Sequence, residues 1–147
     1  MNSSSTGKTV SLQISLESRK PMKKIESATF VVGSGLEGDR HTTSNTRRQD
    51  NQVLLMDEET LNELGLEHGI IKENVTSSGI DVASLKAGQL VALGDKVVLR
   101  ISRVCDPCSR MEEIRPGLRA ELKGKRGMLA SVDNGGTVRV GDPIRLL

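Results

Sequence analysis

Apolar and polar residues alternate along Val10-Ser11-Leu12-Gln13-Ile14-Ser15-Leu16, the period of a strand with one face on a core and the other turned away. A second strand is predicted near residues 26–32. Gly33-Ser34-Gly35-Leu36-Glu37-Gly38 then opens a polar run to Asn51 that reads as one long loop. Gln52-Val53-Leu54-Leu55-Met56 has the unbroken apolar character of a buried strand, and Asp57 stands where its side chain can cap a short helix through Leu64, stopped by Gly65. Strand signals return at Val75, which ends one short strand. They continue over 89–93 and 96–104, a hairpin around Gly94-Asp95. Segments 128–132 and 137–140, separated by the turn Asp133-Asn134-Gly135-Gly136, and 144–147 complete the pattern. Many short strands with one or two short helices predict a mainly β domain, either a barrel or a sandwich.

Composition adjusts this picture in three ways. At 147 residues the chain is long enough for one compact core without disulfides or a structural metal. Residues 1–8 are polar and without period and are expected to form a disordered tail, leaving 9–147 as a single domain. Phe30 is the only aromatic residue, so the core must be built from Val, Leu, Ile and Met, and no stacking platform for single-stranded nucleic acid is available. A net charge of +2 is too small for a duplex-binding surface. No stretch approaches the length of a membrane span, and Met1 to Lys8 lack the apolar stretch expected of a signal peptide. A cytoplasmic protein with no nucleic-acid or membrane partner is expected. Its two cysteines then read as reduced thiols.

Those thiols lie in Cys105-Asp106-Pro107-Cys108, at the end of the predicted strand 96–104. Ser109-Arg110-Met111-Glu112 follows with the form of a capping box. A helix beginning there would place Cys108 beside outward-pointing N–H groups, which favour a thiolate, the only competent nucleophile or metal ligand. Residues 100–126 hold eight Lys and Arg against four acids. This basic surround favours a thiolate and an anionic ligand. A zinc site lacks ligands, since His41 and His68 do not have zinc-motif spacing. A thioredoxin-like centre would follow the first strand of a βαβ unit, whereas here the pair follows a hairpin. A reactive thiol, a CxxC redox pair and two ordinary thiols at a turn remain open.

From about Val10 onward the chain resembles the MOSC domain, named for the C-terminal domain of molybdenum cofactor sulfurase. The resemblance rests on an ordered set of segments: Gly38-Asp39-Arg40-His41, Glu73-Asn74-Val75 with Ser78-Gly79-Ile80-Asp81, Leu85-Lys86-Ala87-Gly88 with Gly94-Asp95, Pro107-Cys108, and Arg126-Gly127-Met128-Leu129-Ala130 with Gly141-Asp142. The family usually has Gly before the Glu-Asn pair; here Lys72 takes that place. If that backbone needs positive φ, Lys alters the loop.

The resemblance implies a mixed-strand β-barrel. It also implies a cysteine that carries sulfane sulfur as a persulfide or ligates the molybdenum of molybdopterin. That role falls on Cys108, with Cys105 as the supporting thiol. Arg103 and Arg110 are the candidates to hold an anion beside it, and Asp39, Arg40, His41 and Asn74 are pocket candidates, Arg40 and His41 on the opposite wall. The implied activity is that of a sulfur transferase or a molybdopterin-dependent accessory protein. Pyridoxal phosphate would reside only on a separate desulfurase, the expected sulfur donor, and a molybdoenzyme is a candidate partner. Two other classes fit the same residues, a non-catalytic module binding a small anion or a partner protein, and a CxxC thiol redox protein.

Overall fold

A computed structural model describes residues 6–17, 20–40 and 52–147. The elements used below are β1 Thr6–Ile14, β2 Lys23–Ile25, β3 Ser27–Val31, β4 Gly35–Leu36, β5 Val53–Asp57, α1 Glu58–Glu63, β6 Val75–Ser78, β7 Leu90–Leu93, β8 Val97–Val104, α2 Met111–Ile114, α3 Leu118–Glu121, β9 Met128–Asn134, β10 Gly136–Arg139 and β11 Pro143–Leu146. The strands run β11-β7-β8-β9-β5-β6-β1-β2 in one sheet, and the additional β11–β1 pairing closes seven of them into a barrel. β5 and β6 are parallel and the other neighbours antiparallel, so the barrel is mixed. α1 and the loop after it make the crossover that a parallel pair requires.

β1 explains the closure. Its first residues pair with β11 (Thr6 with Arg145, Gly7 with Ile144, Lys8 with Pro143), while its later ones pair with β6 and β2. Of the tail expected over residues 1–8, Thr6, Gly7 and Lys8 belong to the barrel, because the last strand supplies the partner that a local pattern cannot show. A side chain at Gly7 would run into the Ser78 carbonyl. Three other expectations change. β6 begins at Val75, where a strand end was expected. β4 interrupts the long loop after Gly33. The turn expected over Asp133-Asn134-Gly135-Gly136 shrinks to Gly135, because β9 runs on to Asn134 and β10 starts at Gly136, where it pairs with β3 in a separate three-stranded sheet. Ala28, Phe30, Leu36 and Val138 of that sheet join the barrel's hydrophobic core.

β5 is buried on both faces. Val53 and Leu55 enter the barrel core, while Met56 joins a second cluster with Leu61, Leu66, Ile71, Met111, Leu118 and Leu122. This second cluster lies under α1, α2 and α3, the last of which the sequence pattern did not predict. Asp57 caps α1 as expected, its Oδ1 accepting from Thr60 N at 2.8 Å, and its Oδ2 also accepts from Val82 N at 3.0 Å. Between the barrel and this cover lies a buried polar layer. Gln13 Nε2 donates to Glu73 O and Thr76 Oγ1, Ser11 Oγ donates to Gln13 Oε1, and Thr76 Oγ1 donates to Glu73 Oε2. These bonds satisfy groups that burial would otherwise leave unpaired.

Candidate functional site

Cys105 is fixed by its backbone. Where β8 ends, Cys105 N donates to Gly127 O at 2.8 Å, tying the cysteine segment to the entry of β9. A Cβ at Gly127 would approach Leu55 O to 2.6 Å, and its φ of 106° suits glycine, so this segment packs directly against β5. Beyond it Cys108 O accepts from Met111 N at 3.0 Å and the chain enters α2.

The expected capping box does not form. Arg110 occupies the N-cap position with helical dihedrals and no side-chain cap bond. Glu112 points onward instead, accepting from Gly117 N and Arg119 N at 2.9 Å each. Gly117, at φ 87°, turns the chain so that both N–H groups face one carboxylate, and these bonds hold the Glu112 carboxyl below its ordinary range. With four residues, α2 also aligns too few peptide dipoles to act on Cys108 as expected.

What surrounds Cys108 is a cavity of about 700 Å³. Its floor crosses neighbouring strands of the sheet, with Leu129 from β9, Leu54 from β5, Asn74 just before β6, Ser15 just after β1 and Lys24 from β2. The loop 67–72 and the segment 108–114 form its rim. Five cations line it, Lys24, Arg40, Lys72, Arg110 and Arg126, against two carboxylates, Glu67 and Glu113. Of the residues singled out from sequence, Cys108, Arg110, Arg40 and Asn74 thus meet in one cavity.

The others are placed differently. Asp39 is buried and braces the backbone, its Oδ1 accepting from Ser15 N at 2.6 Å and from Asn74 Nδ2 at 3.4 Å. Asn74 is itself a bracket between strands, its Oδ1 accepting from Leu54 N at 3.0 Å and its Nδ2 donating to Gln13 O at 3.2 Å. Arg103 is exposed on β8 after a register shift, away from the cavity lining. Cys105 is half-buried and also off the lining; burial pushes its thiol up, partly opposed by Arg126 and Arg103. Both cysteines are free thiols, and Cys108 is exposed. His41 lies outside the described residues.

Two further lining residues, neither given a role from sequence, stand out. Lys72 is the one non-glycine residue with positive φ (72°) among the described residues, at the position where the family pattern puts Gly. Its Nζ donates to Lys20 O, and burial together with the Arg110 charge lowers its pKa. Arg126 is only 6% exposed, and its Nε and Nη1 have no hydrogen-bond partner among the described residues. Near it, Glu73 is fully buried, with Oε2 accepting from Gly69 N at 2.8 Å and Oε1 unpartnered among the described residues. Desolvation pushes the Glu73 carboxyl up, against the opposing pull of those bonds and of the Arg126 charge. The motif Arg126-Gly127 was the available signal for Arg126, but sequence alone shows it as one cation among eight.

Among the described residues no three His, Cys, Asp or Glu side chains cluster as a metal site, and no helix is long and apolar enough to cross a membrane. The sequence model of the MOSC domain matches residues 38–145. No curated protein matches the sequence. Among solved structures, the YuaD protein from Bacillus subtilis superimposes with a TM-score of 0.79 at 24% identity, over 96% of this chain and 95% of that one. YiiM from Geobacillus stearothermophilus gives 0.72 at 18% identity, over 96% and 75%. YiiM from Escherichia coli gives 0.70 at 17%, over 95% and 69%. At these identities the likeness is one of fold, and the mixed barrel expected from the motifs is the fold observed.

Proposed function

The chain belongs to the MOSC domain family, and from that premise we propose that it carries sulfane sulfur on Cys108. One observation carries the reading: Cys108 opens into the same cavity as Arg110, Lys72, Arg40 and Asn74. The Cys108 thiolate attacks the terminal sulfur of a donor persulfide. The donor's S–S bond breaks, a new S–S bond forms on Cys108, and the donor leaves as a thiolate, with no external oxidant or reductant. Arg110 and Lys72 supply positive charge for the anionic persulfide. The donor is a separate protein of the cysteine desulfurase class, and a molybdoenzyme or its cofactor is the acceptor.

The residues present also fit the molybdenum cofactor that the family implies. Cys108 offers a soft sulfur ligand, Arg110 and Lys72 offer cations for a phosphate, and Leu54, Met111 and Leu129 offer apolar surface for a pterin. When bound, the cofactor supplies molybdenum redox chemistry; the protein holds and orients it.

The test is sulfur loading. After incubation with a cysteine desulfurase and cysteine, the intact protein should gain about 32 Da, and Cys108→Ser should gain nothing. No gain on the wild type, or an equal gain on the variant, sinks the proposal. A second reading, a non-catalytic anion-binding module, draws on the exposed turn at Cys108 with no capped helix behind it. It gains if sulfur fails to load and Cys108 reacts with a thiol reagent no faster than an unstructured cysteine.

A further inference from the structure

Arg126 is the feature of the cavity that the fold does not explain. A guanidinium is a permanent cation with five N–H donors, and a fold that encloses one normally gives those groups acceptors. Here the side chain is 6% exposed, and both Nε and Nη1 lack partners among the described residues. The nearby buried acid does not answer it. Glu73 feels the Arg126 charge but forms no ion pair with it; its Oε2 is held by Gly69 N and Thr76 Oγ1, and its Oε1 is itself unpartnered.

Elsewhere in the lining of the same cavity the imbalance is repeated. Lys72 and Arg110 line the same cavity close enough for the Arg110 charge to weigh on Lys72, and Lys72 is held there by a strained positive-φ backbone. Even with Glu67 and Glu113 in the lining, five cations around one space, one of them with unsatisfied donors, leave an unfavourable excess of positive charge. They become favourable with an oxyanion among them, because a guanidinium's planar fork matches two oxygens of a carboxylate or phosphate.

We infer that Arg126 is a ligand-recognition residue, which with Arg110 and Lys72 forms an oxyanion subsite for the molecule the cavity receives. That molecule carries a phosphate or carboxylate on an otherwise largely apolar body. Leu54, Met111 and Leu129 take the body, and the subsite takes the charge. The inference rests on the cavity being the ligand site, and it is independent of sulfur on Cys108.

Its signature is a trade between stability and binding that a structural arginine would not show. Arg126→Met removes an unsatisfied buried charge, so the ligand-free variant should melt at or above the wild-type temperature. The wild type, titrated with inorganic phosphate or with malonate at constant ionic strength, should rise in melting temperature with one of the two. Which anion acts distinguishes a phosphoryl ligand from a carboxylate one. Arg126→Met should weaken that response by about tenfold to a hundredfold, the loss expected for charge-assisted hydrogen bonds. Arg110→Met, at an exposed position, should weaken it less and leave the ligand-free melting temperature unchanged.

A wild type that responds to neither anion overturns the inference. So does an Arg126→Met variant that melts several degrees lower without anion, or one that keeps the full response. Cys108→Ser should keep the anion response. Loss of sulfur loading with that response intact would count against the sulfur reading alone, and sulfur loading without any anion response would count against Arg126 alone.

Discussion

The barrel and its helical cover are built on different principles. The barrel core gathers twenty-one buried side chains among the described residues, from the closed sheet, from the three-stranded sheet β10-β3-β4 and from the segment after β6. The cover's core has seven, supplied by β5, three short helices and the loop after α1. Closure leaves the barrel strands without free edges, so each stagger is held from two sides. The four-residue helices α2 and α3 rest on single anchors, Met111 in one and Leu118 in the other, and on the Glu112 carboxylate that joins them. The cavity lies where the two regions meet. Its floor is rigid sheet, and the part that carries Cys108 and Arg110 belongs to the less deeply anchored side. A site built this way combines fixed strand positions with a rim that can open at small expense in free energy.

Truncating one fully buried leucine in each region should expose the difference most sharply. Leu99→Ala in β8 should lose about 2–5 kcal/mol of global stability in denaturant unfolding. Leu118→Ala removes the same atoms from an equally buried site, but should mainly speed amide exchange over residues 108–122 while the barrel strands keep their protection. Equal loss of strand protection in both variants would show a single cooperative unit and remove the distinction.

The polar layer between the regions offers a smaller lever, through Glu73. Its carboxyl is pushed up by burial, so the folded state holds that proton more tightly than the unfolded chain does. The stability tied to this group is complete below the unfolded value and is lost as pH rises through the raised folded value. Glu73→Gln keeps an acceptor for Gly69 N and Thr76 Oγ1 and cannot ionise. The wild type should therefore fall behind the variant as pH climbs above about 4.5, the ordinary glutamate value. Parallel stability curves for the two proteins from pH 4 to 8 would show that Glu73 does not titrate in the fold.

The smallest effect concerns the strained rim. Lys72→Gly should relieve the positive φ and stabilise the protein by about 1 kcal/mol, reduced by the lost bond to Lys20 O. Lys72→Ala removes the same charge while keeping the strain and should not stabilise. Equal stability of the Gly and Ala variants would mean that the backbone at this position is not what limits the rim.

The strands were legible where alternation or a buried run carried the signal, as in β1, β5 and the β7–β8 hairpin, and Asp57 announced its helix by capping chemistry. β2 and β4, with three and two residues, are too short to show a period. The capping box after Cys108 misled because Ser109 and Glu112 satisfy its spacing, whereas Gly117 turns two better-placed donors onto the same carboxylate. At the site, Cys108, Arg110, Arg40 and Asn74 were identifiable from motif and charge. Asp39 and Arg103 were candidates too, but one became a buried brace and the other stayed outside on β8.

The sequence by itself determined that β1, β5, β7 and β8 become strands, that the core would be aliphatic, and that a thiol with basic neighbours follows β8, since each depends on the chemistry and spacing of adjacent residues. Tertiary structure alone decided that Thr6 to Lys8 close the barrel against β11, that Lys72 bends into the conformation of a glycine, and that Arg126, of eight cations in one stretch, is enclosed with Nε and Nη1 unpartnered among the described residues. Burial and pairing are set by what the rest of the chain brings alongside, and residues distant in sequence provide it.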